Sequence, residues 1–191
     1  TRQKITVFAG SGIAGDDPGA GVGTLVLAAP AGVGSHQLMS FELIKEVSGR
    51  RRTIVKNALI LEGCDSAYLG SVLGGMSDAD MNAIHILVAR GCDFGDDVAN
   101  LVRSFGRLEY LFLNKCSLVR LPATLLENAP SLLWFDVSEN FIPRIPAGFF
   151  SYTPNLRRID VSGNVLTAIE DDLRGLSELT CFFSSDNADL G

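Results

Sequence analysis

From residue 84 onward the chain repeats one arrangement of apolar positions. Leu108, Leu111, Leu113, Cys116 and Leu118 stand at positions one, four, six, nine and eleven of a segment. Leu132, Phe135, Val137, Asn140 and Ile142 refill those positions 24 residues later, and Leu156, Ile159, Val161, Asn164 and Leu166 do so after another 24. One step backwards lie Ile84, Leu87, Ala89, Cys92 and Phe94. A weaker copy ends in Leu59, Leu61 and Cys64, and Leu179, Phe182 and Asn187 open an incomplete last one. The ninth positions therefore run Cys64, Cys92, Cys116, Asn140, Asn164, Asn187, at separations of 28, 24, 24, 24 and 23. Apolar residues at positions four and six, with polar or aromatic residues between, predict a short strand whose alternate side chains point inward. After position nine the chain has to turn and come back. The return segment over residues 93–106 places Phe94, Val98, Leu101, Val102 and Phe105 at helical spacing. No unit of this kind can bury its own apolar face, so the units must stack.

The two central copies continue alike, with Leu121-Pro122 and Ile145-Pro146, then Leu125-Leu126 and Phe149-Phe150. Their strands end in Val137-Ser138-Glu139-Asn140 and Val161-Ser162-Gly163-Asn164. Residues 54–191 thereby resemble the leucine-rich repeat family, in its 24-residue class, with about six repeats. The resemblance implies an α/β fold: a leucine-rich-repeat solenoid with a parallel β-sheet on the concave face and helical, 3-10 or irregular segments on the convex face. At the ninth position a side chain has to satisfy buried backbone groups of adjacent turns. The amide of Asn140, Asn164 and Asn187 can donate and accept there. The thiols of Cys64, Cys92 and Cys116 do so more weakly but tolerate burial.

Residues 1–53 read differently. Nine of the twenty glycines lie between Gly10 and Gly49, which marks a glycine-rich N-terminal segment. A helix over residues 36–47, N-capped by Ser35 and apolar at Leu38, Phe41, Leu43, Ile44 and Val47, is expected to cap the first repeat. Arg50, Arg51 and Arg52 then read as a solvated connector between this helix and the first strand of the array. Gly10, Gly12 and Gly15 have dinucleotide-binding spacing. Asp16-Asp17-Pro18-Gly19, however, stands where a phosphate-binding helix would have to begin, so a glycine-rich turn between two strands, the second over residues 24–28, is expected instead. Residues 5–34 also resemble one NHL-type β-propeller repeat, and a single copy cannot close a propeller.

Charge and candidate chemistry narrow the function. Sixteen basic against twenty-two acidic residues, a net charge of −6, argue against a nucleic-acid partner. The apolar stretch over residues 24–33, about half the length of a membrane span, contains Pro30 and Gly32. No direct membrane insertion of this segment is expected. The ladder cysteines lack the short pair spacing of a zinc site and read as free thiols, with Cys181 outward. With no Asn-x-Ser/Thr sequon either, an intracellular, reducing compartment is expected, an extracellular surface being the alternative. His36 and His85 are isolated from any nucleophile. The carboxylates at Asp93, Asp96 and Asp97 and at Glu170, Asp171 and Asp172 read as solvated faces. The reading is of a non-enzymatic chain without cofactor or metal.

Positions three, five, seven and eight point away from the core, so the repeat register names the concave surface. Ile86, Val88, Tyr110, Phe112 and Trp134 form a contiguous apolar and aromatic patch there, with Asp136, Arg158 and Asp160 at its margin. An aromatic centre with a charged rim is the composition of a protein-binding hot spot. The leading expectation is an interaction module that holds a protein partner on this face. The alternatives are the ectodomain of a surface receptor or adhesin, a structural subunit of a large assembly, or a patch covered by the chain's own N-terminal segment. The start at Thr1, and an array that stops at Gly191 without a closing element, suit a piece of a longer protein.

Overall fold

The computed structural model describes residues 3–4, 26–28, 36–47, 50–169 and 173–187. Two short strands, β1 (Gln3–Lys4) and β2 (Val26–Ala28), precede two long ones, β3 (His36–Val47) and β4 (Arg50–Glu62). Helices α1 (Ser66–Gly74) and α2 (Asp78–Asn82) lead to β5 (Ile84–Arg90). A 3-10 turn at Gly95–Asp97 and helix α3 (Val98–Arg103) lead to β6 (Tyr110–Asn114). Thereafter the return segments lack α-helix among the described residues, and the strands are β7 (Trp134–Asp136), β8 (Arg144–Ile145), β9 (Arg158–Asp160), β10 (Ala168–Ile169) and β11 (Cys181–Phe183).

Nine of these strands form one sheet in the order β1-β2-β3-β4-β5-β6-β7-β9-β11. From β4 to β11 every neighbouring pair is parallel, and the register joins like position to like: Leu59, Leu87, Leu111, Phe135, Ile159 and Phe182 lie side by side. The first five are fully buried. Strands β8 and β10 make a second, two-stranded parallel sheet in the return segments.

Residues 36–47 correct an expectation. They form strand β3, not a capping helix, and all twelve residues pair antiparallel with β4. Strand β4 is the first parallel strand of the array, and a helix at this place would leave its outer row of backbone groups without partners. Pairing with β3 satisfies that row, and tertiary context overrides a helical spacing of apolar residues. Arg50, Arg51 and Arg52 consequently lie inside β4, opposite Val47, Glu46 and Lys45, and are not a connector. Strand β2 falls within the expected strand at residues 24–28. The glycine motif at 10–15, Ser35, the acidic run at 170–172 and most of the propeller-like stretch lie outside the described residues.

Local chemistry explains the return segments. Asp65 caps α1 by accepting from the Tyr68 amide at 2.8 Å, and Ser77 and Asp80 form a reciprocal capping box at the start of α2. Two helices advance only about 1.5 Å per residue, which accounts for the longer interval between Cys64 and Cys92. Helix α3 buries Val98, Ala99, Leu101 and Val102 against the back of the sheet. Further along, Phe149 and Phe150 pack on Phe135, with ring centroids 5.7 and 5.9 Å away.

Position eight shows how the chain leaves each strand. Gly63, Gly91, Lys115, Glu139, Gly163 and Asp186 all have positive φ, between 54 and 64°. A left-handed residue turns the strand into the return segment, and glycine adopts it without a Cβ penalty. At Gly163 a Cβ would also meet the Glu139 side chain at 3.3 Å.

The ninth positions then tie neighbouring turns together. Asn140 donates from Nδ2 to the carbonyls of Leu113 and Val137 at 2.8 Å, and its Oδ1 accepts from the amides of Cys116 and Leu118 at 2.9 and 3.0 Å. Asn164 repeats the set one turn on, donating to Val137 and Val161 and accepting from Ile142. Asn187 donates to Val161 and Ser184 and accepts from Leu166. Cysteine rungs bond more loosely: the Cys64 amide reaches the Cys92 sulfur at 3.3 Å, and the Cys116 thiol reaches the carbonyl of Ala89 at 3.4 Å. None of the four cysteines is in a disulfide; Cys64, Cys92 and Cys116 are buried and Cys181 is half-buried. A thiol reagent added to the native protein is therefore expected to label Cys181 first. The three ladder cysteines should follow only on unfolding, an order that mass spectrometry of timed samples would check.

Candidate interaction surface on the concave sheet

The parallel register builds the outward rows directly. Ala58, Ile86, Tyr110, Trp134, Arg158 and Cys181 are neighbours in one, and Ile60, Val88, Phe112, Asp136, Asp160 and Phe183 in the next. All eight residues expected at the site lie in these rows, and all eight are half-buried. Ala58, at the β4 end, is fully covered.

Phe112 and Trp134 meet edge to face with centroids 5.2 Å apart, and the Arg158 guanidinium lies 5.0 Å from the centre of the Trp134 ring. The indole Nε1 is buried and has no hydrogen-bond partner. Burial, with Glu109 adding to it, pushes the Tyr110 hydroxyl above its usual pKa. Asp136 accepts through Oδ1 from Asn114 Nδ2 at 2.7 Å and from the Ser138 amide at 2.9 Å. Its carboxyl is nevertheless held above the ordinary carboxylate range, mainly by burial and further by the charge of Asp160, against the pull of those hydrogen bonds. Asp160 accepts from the Ser162 amide at 2.9 Å.

Sequence reasoning did not single out several residues that frame this surface. Arg90, Asn114, Lys115 and Glu139 line a cavity of about 460 Å³ together with Phe112 and Asp136. They come from positions seven and eight, whose lateral proximity is visible only in the register. At the other end of the strands Lys56 and Glu109 form an ion pair, and His85 lies close by. Residues 85 and 109 are at position two, which the alternation rule leaves outside the concave rows. Elsewhere His36 Nδ1 and the Tyr68 hydroxyl are 2.8 Å apart beside a cavity of about 240 Å³. Among the described residues no group of three or more His, Cys, Asp or Glu side chains is placed to hold a metal ion. No described helix is long and apolar enough to cross a membrane.

His85 has a consequence for stability. Its Nδ1 is buried without a partner, and burial, reinforced by the Lys56 cation, lowers its pKa from 6.5. As pH falls through 6.5 the unfolded chain takes up a proton that the folded chain refuses until lower pH, so stability falls over that interval. His85→Gln should lose less stability than the parent between pH 7 and 5, measured by urea denaturation at each pH.

Stacked parallel strands, a ninth-position ladder and return segments on the opposite side define a leucine-rich-repeat solenoid. Residues 106–166 match the family model described as leucine rich repeat, and the chain carries that repeat. No curated protein matches the chain in sequence. Among solved structures, the leucine-rich repeat domain of APL1B is 23% identical with a TM-score of 0.47, over 58% of this chain and 33% of that one. The Toll–Spatzle complex from Drosophila contains a chain 16% identical with a TM-score of 0.49, over 84% of this chain and 28% of that one. A chain of the TLR13–ssRNA13 complex is 17% identical with a TM-score of 0.41, over 58% and 20%. The present chain thus spans about a third or less of the length of each.

Proposed function

We propose that the array over residues 54–191 is a non-enzymatic interaction module that holds a protein partner on its concave face, with residues 1–53 as its N-terminal cap. One observation carries this reading: Ile86, Val88, Tyr110, Phe112 and Trp134 form an unbroken apolar and aromatic patch across three neighbouring strands, on the sheet face opposite the core. A face that met only water would carry polar side chains in those rows. Aromatic residues so placed contribute to binding more than to the monomer's stability.

Trp134→Ala is expected to weaken partner binding by at least about 2 kcal/mol, roughly thirtyfold, while changing the urea midpoint little. The partner would be recovered with the parent chain as bait, and its affinity for both forms measured by calorimetry. Equal affinities for the two would refute the concave-face reading.

A further inference from the structure

We infer that the partner sets an arginine or lysine side chain against Asp136 and Asp160, within a contact segment that is otherwise apolar. The inference rests on the concave-face reading above and adds the chemistry of what that face takes.

Asp136 and Asp160 are register partners on the adjacent parallel strands β7 and β9, both half-buried. Two like charges side by side in partial burial have to be compensated or they oppose the fold. The compensation within the chain is limited. Asn114 and the amides of Ser138 and Ser162 supply neutral hydrogen bonds. Lys56 pairs with Glu109, Arg103 with Glu127, Lys115 with Glu139 and Arg157 with Glu178, and among the described residues no ion pair reaches either aspartate. Arg158, a cation on the same face, lies over the Trp134 ring. Arg90 lines the cavity beside Asp136 without pairing with it, and Lys115 in that cavity is held by Glu139 at 3.0 Å. The raised pKa of Asp136, due first to burial and also to Asp160, is in keeping with negative charge left uncompensated.

The surroundings select among partners. Phe112 and Trp134 stand beside the aspartates as an apolar wall. The aliphatic stem of an arginine or lysine can lie along such a wall while its charged head meets the carboxylates. A guanidinium adds the planar fork that suits paired carboxylate oxygens. An uncharged apolar segment would strip water from both aspartates and give nothing back, and an acidic one would be repelled.

The test uses a displayed library of random peptides, selected on the full chain and counter-selected on Trp134→Ala. Trp134-dependent peptides are expected to share a lysine or arginine flanked by apolar residues. Replacing that residue by glutamine should weaken binding to the parent chain about tenfold or more, the loss of a charged hydrogen bond. On the Asp136→Asn/Asp160→Asn variant, which keeps an acceptor for the Ser138 and Ser162 amides, the same replacement should change little. Raising salt should weaken the basic peptides and spare their glutamine versions, a readout that needs no variant of the chain. Trp134-dependent peptides without a basic residue, or a basic residue whose loss matters equally on the double variant, would overturn this inference and leave concave-face docking in place. Peptides that all bind Trp134→Ala as well as the parent would overturn the docking reading, and this inference with it.

Discussion

Phe135→Ala is expected to destabilise the array by about 3–5 kcal/mol. Its ring is fully buried in the middle strand of the parallel stack, and it is packed on Phe149 and Phe150, which are themselves in edge contact at 5.0 Å. Close-packed aromatic rings cannot collapse to fill the space of a deleted one, so the loss of burial and the cavity add. The effect should spread beyond one repeat, because each unit's core is completed by its neighbours. Urea denaturation followed by circular dichroism gives the comparison, with Trp134→Ala as the adjacent control. Trp134 points the other way along the same strand and should shift the midpoint far less. A tolerated Phe135→Ala beside an unfolded Trp134→Ala would exchange the two faces of the sheet and remove the proposed surface.

Asn140→Ala is the second large expected effect, about 2–5 kcal/mol, because it deprives several buried backbone groups of partners at once. Two amides, of Cys116 and Leu118, lose their acceptor, and the carbonyls of Leu113 and Val137 lose a donor. Asn114→Ala is the matched comparison. That amide is half-buried and bonds side chains alone, Asp136 and Ser138, both of which water can reach in its absence. Its loss should amount to about 1 kcal/mol. Similar denaturation midpoints for the two variants would show that the ladder does not bear on stability.

Much of this architecture is legible in the amino-acid order because its determinants are local and repeated. The inward residues at positions one, four and six need only the two-residue period of a strand and a constant step, and Leu111, Phe135 and Ile159 fall into register on that basis alone. Helix α3 follows from the spacing of Phe94, Val98, Leu101, Val102 and Phe105. Three elements escaped, for two different reasons. Helices α1 and α2 carry signals in Asp65 and in the Ser77-to-Asp80 box, but Gly70 and Gly74 interrupt α1, α2 has few apolar residues, and the 28-residue interval conceals both. Strand β3 has apolar residues that suit a helix as well as a strand, and what decides between them is the open edge of β4, a partner that no local window contains. For the candidate surface, the identity of the outward rows was readable from alternation. Arg90 and Lys115 beside Asp136 were not, because residues at positions seven and eight meet position five of a repeat one or two steps further on only through the lateral register.

The antiparallel pairing of β3 on β4 also bears on solubility. Ala58-Leu59-Ile60-Leu61 is a short uncharged run of high strand propensity at the outermost parallel strand, and unpaired edges of that kind template association between chains. Strand β3 occupies the edge along its whole length, with Glu42, Lys45 and Glu46 in its sequence. A version of the protein trimmed to the repeats alone would expose that edge. Such a version is expected to aggregate even though every residue of the repeat core is retained, which light scattering of the trimmed and full chains would check.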